Sequence, residues 1–211
     1  PVKIELYFIP VKTRIPLKFG PEILTSVNCA RVHMFVSDNK GKVMDGWGET
    51  PLSVQWGWPS SISYDTRDRD MKEFSKLLAN EWVNLNLAGH PVEIGDIFLK
   101  YALPLTVIRF NSSLKESSEN LPWLAALICN SAFDIAFHDA YAKYLGLPVY
   151  RIYSKQFMEN DLSHYLEPAN DTQVSFKDKY IEDYLRIPPR DRLLAWHLVG
   201  GTDPIDRDEL T

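Results

Sequence analysis

Two cysteines, Cys29 and Cys129, are all that a chain of 211 residues contains. That is too few for a fold stapled by disulfides, and both sit in apolar surroundings, so they read as buried free thiols and not as a bridge or an activated nucleophile. No apolar run approaches the ~20 residues of a membrane span, and the N-terminus lacks the basic-then-apolar layout of a signal peptide. A membrane partner is therefore not expected, and the cytoplasm is the expected compartment. A basic surplus is also missing. Lys and Arg number 23 against 28 Asp and Glu, for a net charge of −5 and a pI near 5.6. Nothing in that balance favours nucleic acid or an anionic membrane surface. The first residue is a proline, which is compatible with loss of an initiator Met and places Pro1 close to the expected natural start.

What is present is ordinary globular material, 45% hydrophobic and 24% charged, enough to bury a real core in one large or two small domains. The strongest local pattern runs from Leu121 to Tyr150. Leu121, Leu124, Ala125, Ile128, Ala132, Ile135, Ala136, Tyr141 and Leu145 recur at steps of three and four, the stripe of a helix packed on a core. Pro122 suits its first turn, with Asn120 or Ser118 available as cap. Gly146 can take the left-handed position after the last turn, and Pro148 forbids continuation. The spacing predicts one helix of roughly six to seven turns.

Upstream, Val2–Ile9 and Leu24–Ser37 are rich in β-branched and aromatic residues and read as strands, with Ala30, Val32, Met34 and Val36 sharing a face. Asp38-Asn39-Lys40-Gly41 is hairpin-turn chemistry, and Lys42–Glu49 returns as a third strand. The expected result is a three-stranded antiparallel meander. Pro10–Ile23 reads as a long connection between the first two strands, and connections of that length are usually functional or disordered; this one is too apolar for disorder. Thr50–Tyr64 reads as a second irregular segment bearing Gln55, Trp56 and Trp58. Asp65 or Thr66 then caps a helix whose face is Met71, Phe74, Leu77, Leu78, Trp82 and Leu85, a shorter helix covers Val92–Tyr101 and ends before Pro104, and Asn111–Asn120 reads as a polar loop.

The run Ser131-Ala132-Phe133-Asp134-Ile135-Ala136-Phe137-His138-Asp139-Ala140, continued by Lys143, Gly146 and Pro148-Val149-Tyr150, resembles the segment that closes the N-terminal capping domain of mandelate racemase and muconate lactonizing enzymes, in the enolase superfamily. Thr13-Arg14-x-Pro16-x-Lys18-Phe19-Gly20 and Gly46-x-Gly48-Glu49 resemble that domain's first loop and the end of its third strand. The three signatures occur in the expected order. The resemblance implies an α+β capping domain over residues 1–150, a meander followed by a helical lobe, and then a (β/α)8 barrel. In 151–211 the fit is poorer. Residues 151–192 intervene where a barrel strand usually follows at once, Ser175–Leu185 looks helical, and Leu193–Val199 before Gly200-Gly201 is the candidate first barrel strand. A barrel needs ~200 residues or more, so 151–211 is expected to hold a linker or insertion and the first strand of a truncated one.

The chemistry the resemblance implies is removal of a proton α to a carboxylate, with Mg2+ stabilising the enediolate and a Lys or His as base. The implied metal ligands and bases lie on later barrel strands, so no catalytic residue and no metal ligand is expected in this chain. Lys177-x-Lys179 has the spacing of a strand base pair, but Asp178 between them and the helical period of Tyr180-Ile181-Glu182-Asp183-Tyr184 make it a solvated helix face. Asp134, His138 and Asp139 invite a metal reading, yet no third inward ligand is evident, and packing and hydrogen bonding is the simpler role. His197 after Trp196 could face a barrel mouth, with a packed histidine as the simpler reading.

What remains for this segment, if the resemblance holds, is selection of a small-molecule carboxylate by two loops, Pro10–Ile23 and Thr50–Pro59, which fold over the barrel mouth. Arg14 and Lys18 suit an anionic or polyhydroxylated substrate, and Gln55, Trp56 and Trp58 suit hydroxyls and the apolar face of a sugar acid. The parent enzyme is expected to be a lyase or isomerase of the acid-sugar dehydratase or racemase type and a homo-oligomer. Two other classes stay open: a non-catalytic module that binds a small molecule or carbohydrate, and an assembly module whose helix stripe is an interface.

Overall fold

A computed structural model of the chain describes residues 1–19, 22–114, 119–196 and 206–209. It is an α+β fold, a three-stranded antiparallel sheet covered on one face by helices. The strands are β1 (Lys3–Phe19), β2 (Glu22–Ser37) and β3 (Val43–Pro51), in spatial order β1-β2-β3. The β2–β3 reversal is the expected one. Asp38 Oδ1 accepts from the amides of Lys40 and Lys42 at 2.9 and 2.8 Å, and Gly41 adopts φ +81°, a conformation that a side chain would disfavour.

The connection Pro10–Ile23 is not irregular. Val11 pairs with Val27 and Lys12 with Ser26, and after a bulge between Lys12 and Leu17 the ladder resumes at Leu17–Leu24 and Lys18–Ile23. The two strands thus run on past the body as a β arm. Thr13, Ile15 and the β-branched partners Ile23, Thr25 and Val27 favour extended backbone, and the bulge takes up Pro16, which has no N–H to give a ladder.

Helix α1 (Val54–Gly57) is a single turn after β3, and α2 (Tyr64–Asn84) follows. Its cap is Ser63, whose Oγ accepts from the Thr66 amide at 3.3 Å, in place of the expected Asp65 or Thr66. Met71, Phe74, Leu78 and Trp82 are buried as expected, whereas Leu77 is exposed. The short helix does not stop before Pro104. Instead α3 (Pro91–Ile97) passes through one π turn, Phe98–Ala102, into α4 (Leu103–Ser113). The π turn re-registers the backbone ladder just where Pro104 has no donor to contribute, so the helix survives its proline. The polar loop accordingly begins after Ser113, and its residues 115–118 lie outside the described residues.

Helix α5 (Trp123–Leu145) is the expected central helix, ended by Gly146 at φ 68° and ψ 29°. Asn120 does not cap it, and Ser118 lies outside the described residues. Pro122 occupies the cap position, and Asn111 fixes the approach, accepting from the Leu121 amide at 2.8 Å and donating to its carbonyl at 3.3 Å. The buried stripe is also displaced from the expected one. Leu124 and Ile135 are exposed, while Ala125, Ala126, Cys129, Ala132, Phe133, Ala136, Phe137 and Ala140 are buried. The helix is covered on two sides: its small residues meet the sheet, and its aromatic side meets α2 and the π turn, where Trp82 stacks on Phe98 with centroids 4.2 Å apart and donates Nε1–H to Asn130 Oδ1 at 2.9 Å. Both cysteines are free and buried.

Beyond α5, the 3-10 turns Val149–Arg151 and Leu162–His164 belong to a stretch that packs back on the body through buried Ile152, Met158 and Leu162. Ser175–Leu185 is not a helix. Only Ile181–Tyr184 forms a 3-10 turn, because Asp178 takes φ 58° and its amide is held by Asp161 Oδ2 at 2.6 Å. Lys177 and Lys179 therefore flank a left-handed turn and not a helix face. Leu193–Trp196 carries no strand pairing and is exposed; a barrel strand needs a neighbour to complete its ladder. Residues 197–200, His197 among them, lie outside the described residues. Among the described residues no helix is long and apolar enough to cross a membrane.

Candidate substrate-facing site

The two segments expected to contact substrate approach each other at one end of the sheet. Leu24, paired with Leu17 beyond the bulge of the arm, lines a cleft of about 270 Å³ with Ser53, Gln55 and Trp56. Backbone bonding fixes α1 there: Ser53 O accepts from the Gly57 amide at 2.7 Å, and Val54 O from Trp58 at 2.9 Å. A Cβ on Gly57 would meet the terminal methyl of Ile128 on α5, which would have to turn aside. Trp56 is left 63% exposed with its ring available to the cleft.

Trp58 is a correction. It is only 2% exposed, packed in the core, and its carbonyl accepts from the buried Arg67 guanidinium, so it cannot meet a ligand. Alternate residues of a short turn face opposite ways, which is why two nearby tryptophans have opposite fates. Arg14 and Lys18 lie on the arm, Arg14 within the bulge and Lys18 paired with Ile23, and both are exposed; neither lines the cleft. Sequence reading missed Leu24 and Ser53. Ser53 carried a usable signal, since it directly precedes the helical turn, but Leu24 is placed only by the strand register.

The signature residues form the frame behind this end. Gly46 and Gly48 of β3 lie against the backbone of α5, where a Cβ on either would come closer than 3.0 Å to Ala136 and Ala140, or to Ala132 and Ala136. Strand and helix touch through glycine on one side and alanine on the other. Asp139 Oδ2 accepts from the Trp47 amide at 2.8 Å and from Lys143 Nζ at 2.7 Å, tying the strand between the two glycines to the helix. Asp134 and His138 do not form a close pair, with Nε2 to Oδ1 at 3.8 Å; His138 Nδ1 instead meets the Tyr153 hydroxyl at 2.9 Å. Burial pushes the Asp134 carboxyl up to about 6 and the His138 imidazole down to about 4. Among the described residues no group of three or more His, Cys, Asp or Glu is placed to hold a metal ion.

No protein family's sequence profile matches the chain, and no curated protein matches it. Solved structures do. A dipeptide epimerase from Cytophaga hutchinsonii, complexed with Mg and the dipeptide D-Ala-L-Val, is 22% identical, with a TM-score of 0.40 over 75% of this chain and 34% of its own. A mandelate racemase/muconate lactonizing enzyme-like protein from Rubrobacter xylanophilus is 19% identical, with a TM-score of 0.34 over 72% and 32%. The L-talarate/galactarate dehydratase from Salmonella typhimurium LT2 is 19% identical, with a TM-score of 0.40 over 71% and 31%. This chain spans about a third of the length of each. Positions that carry the mandelate racemase/muconate lactonizing enzyme resemblance have local packing, hydrogen-bonding or helix-ending roles here: Gly46, Gly48, Ala132, Ala136, Asp139, Lys143 and Gly146.

Proposed function

We propose that this chain is the capping part of a magnesium-dependent enolase-superfamily enzyme that removes the proton α to a carboxylate, of the acid-sugar dehydratase or racemase type. The observation that carries the reading is the meeting of two signatures far apart in sequence. Gly46-x-Gly48-Glu49 nests on Ala132, Ala136 and Ala140 of the helix that bears the second signature. Residues that match a family pattern for a shared packing reason are stronger support than residues that match singly.

In this reading the arm and α1 close over a small carboxylate substrate and select it. Gln55 offers an amide to substrate hydroxyls, and Trp56 offers a ring face to the apolar side of a sugar acid. Arg14 and Lys18 supply cationic donors from the arm as it swings to the site, each charged without needing a proton transfer. Magnesium, when bound, stabilises the enediolate that forms as the α-proton leaves. In this reading, as the family resemblance implies, its ligands and the catalytic bases lie on a barrel outside these 211 residues. The complete enzyme is proposed to be a cytoplasmic homo-oligomer, a reading to which the exposed row Tyr101, Leu105 and Ile108 lends support.

The intact mass of the protein from its source tests the division of labour. The expected mass exceeds the 24.3 kDa of these residues by the ~20 kDa or more of a barrel. A mass of 24.3 kDa would remove the enzyme and leave a binding or assembly module.

A further inference from the structure

We propose that residues 148–165 form a strap latched onto α3 and α5 by His90, His138 and Glu93, and that protonation of His90 releases it. This inference does not depend on the proposed enzyme activity. The latch is built from hydrogen bonds into the strap backbone and one strap hydroxyl. His90 Nε2–H donates to the Ile152 carbonyl at 3.1 Å, the Tyr153 hydroxyl meets His138 Nδ1 at 2.9 Å, and Glu93 Oε1 accepts from the amides of Glu159 and Asn160 at 2.9 and 3.3 Å. Ile152, Met158 and Leu162 supply the apolar anchors. Further along, Glu182 donates its amide to the Tyr153 carbonyl at 3.0 Å, and Leu162 donates to the Lys179 carbonyl at 2.7 Å, so the strap organises the chain that comes after it.

His90 is held as a neutral ring by geometry. Its side chain is fully buried, and while Nε2–H serves the strap, Nδ1 accepts from the Val92 amide at 3.2 Å, capping α3. A proton on Nδ1 would confront that N–H and set a positive charge at the positive end of a helix. It would also find a new partner. Glu93 Oε2 is buried 3.7 Å from Nδ1 and, among the described residues, has no hydrogen-bond partner. Turning Glu93 toward an imidazolium takes Oε1 from the strap amides, so the acid pair forms at the expense of the latch.

The charged and titratable groups around the ring come from every element packed there. Beside the ring lie Glu93 on α3, His138 and Tyr141 on α5 and Tyr153 on the strap; behind them Asp134 lies 3.8 Å from His138, and Tyr165 is near Glu93. Burial, with the neighbouring His138, pulls His90 from 6.5 down to about 4, and burial does the same to His138. A histidine lowered in the closed state stabilises closure fully above 6.5 and loses that contribution as pH falls toward 4. Asp134 is raised from 3.8 to about 6 and acts in the opposite sense, so it offsets close to one histidine over the same range.

Hydrogen exchange on the whole protein, corrected for intrinsic rates, tests the latch. Between pH 7 and pH 5 the protection of amides 155–162 should fall roughly 20-fold, as one histidine lowered to about 4 requires, while amides of β2 keep theirs. His90→Asn retains a cap acceptor that does not titrate, and should abolish the pH dependence. The imidazole proton shifts of unmodified His90 supply a second readout, expected to titrate far below 6.5. Unchanged strap protection at pH 5, an equal loss in His90→Asn, or a His90 ring titrating near 6.5 would each overturn the proposal.

Discussion

Residues a few positions apart do opposite work here, and single substitutions separate the roles. Trp58→Ala removes a core ring and should cost about 3–5 kcal/mol in urea unfolding, whereas Trp56→Ala removes an exposed ring and should leave stability nearly unchanged. In the complete enzyme, Trp56→Ala should raise KM more than it lowers kcat, as expected for a contact to the distal part of substrate. Gly48→Ala is the sharpest structural probe. The new methyl group meets helix backbone that cannot rotate away, so β3 must lift from α5, at a cost of about 2–3 kcal/mol measured as a shift in the urea midpoint. Cys129 gives a chemical readout of the same packing. Burial pushes its thiol up to about 12, so it should resist iodoacetamide at about pH 8 until the protein is unfolded. Rapid labelling in the native state would contradict the packing described.

At the scale of elements, the sequence was most legible where one local rule sufficed. The α5 span, the Gly146 stop, the Asp38–Gly41 turn and the antiparallel meander all follow from period and turn chemistry, and all are in the fold. Where tertiary context decides, reading by period fell short. The buried stripe of α5 shifted because apolar residues cover most of its circumference, so no single face could be chosen from spacing. The connection Pro10–Ile23 proved to be paired because strand length depends on a partner, and Pro16 suggested a break where the fold places a bulge. Of the candidate site, Gln55 and Trp56 could be found from their place on a turn, while Leu24 joined them only through register, and Trp58 was lost to the core because the turn's geometry is not written in composition. The arm makes its own prediction. Since its side chains are mostly exposed, replacing residues 12–25 with a tight turn should leave the unfolding midpoint of the body unchanged while weakening substrate binding in the complete enzyme. A large loss of stability would mean the arm is part of the core.

At the scale of the whole molecule, a sheet and a helix locked through Gly46 and Gly48 hold the arm and the α1 turn at one end, while the strap after α5 is docked on α3 and α5 around His90 and His138. The proposed enzyme needs a barrel to supply metal ligands and bases, with this part closing over the substrate. Exchange of the α-proton tests that account most directly. The complete protein, incubated in deuterium oxide with a panel of sugar acids and other small carboxylates, should incorporate deuterium at the α-carbon of at least one, only with magnesium present, and more slowly when Gln55 and Trp56 are both replaced by alanine. Exchange that is insensitive to chelation of the metal, or the absence of exchange from a complete protein shown to bind both magnesium and a carboxylate, would contradict it.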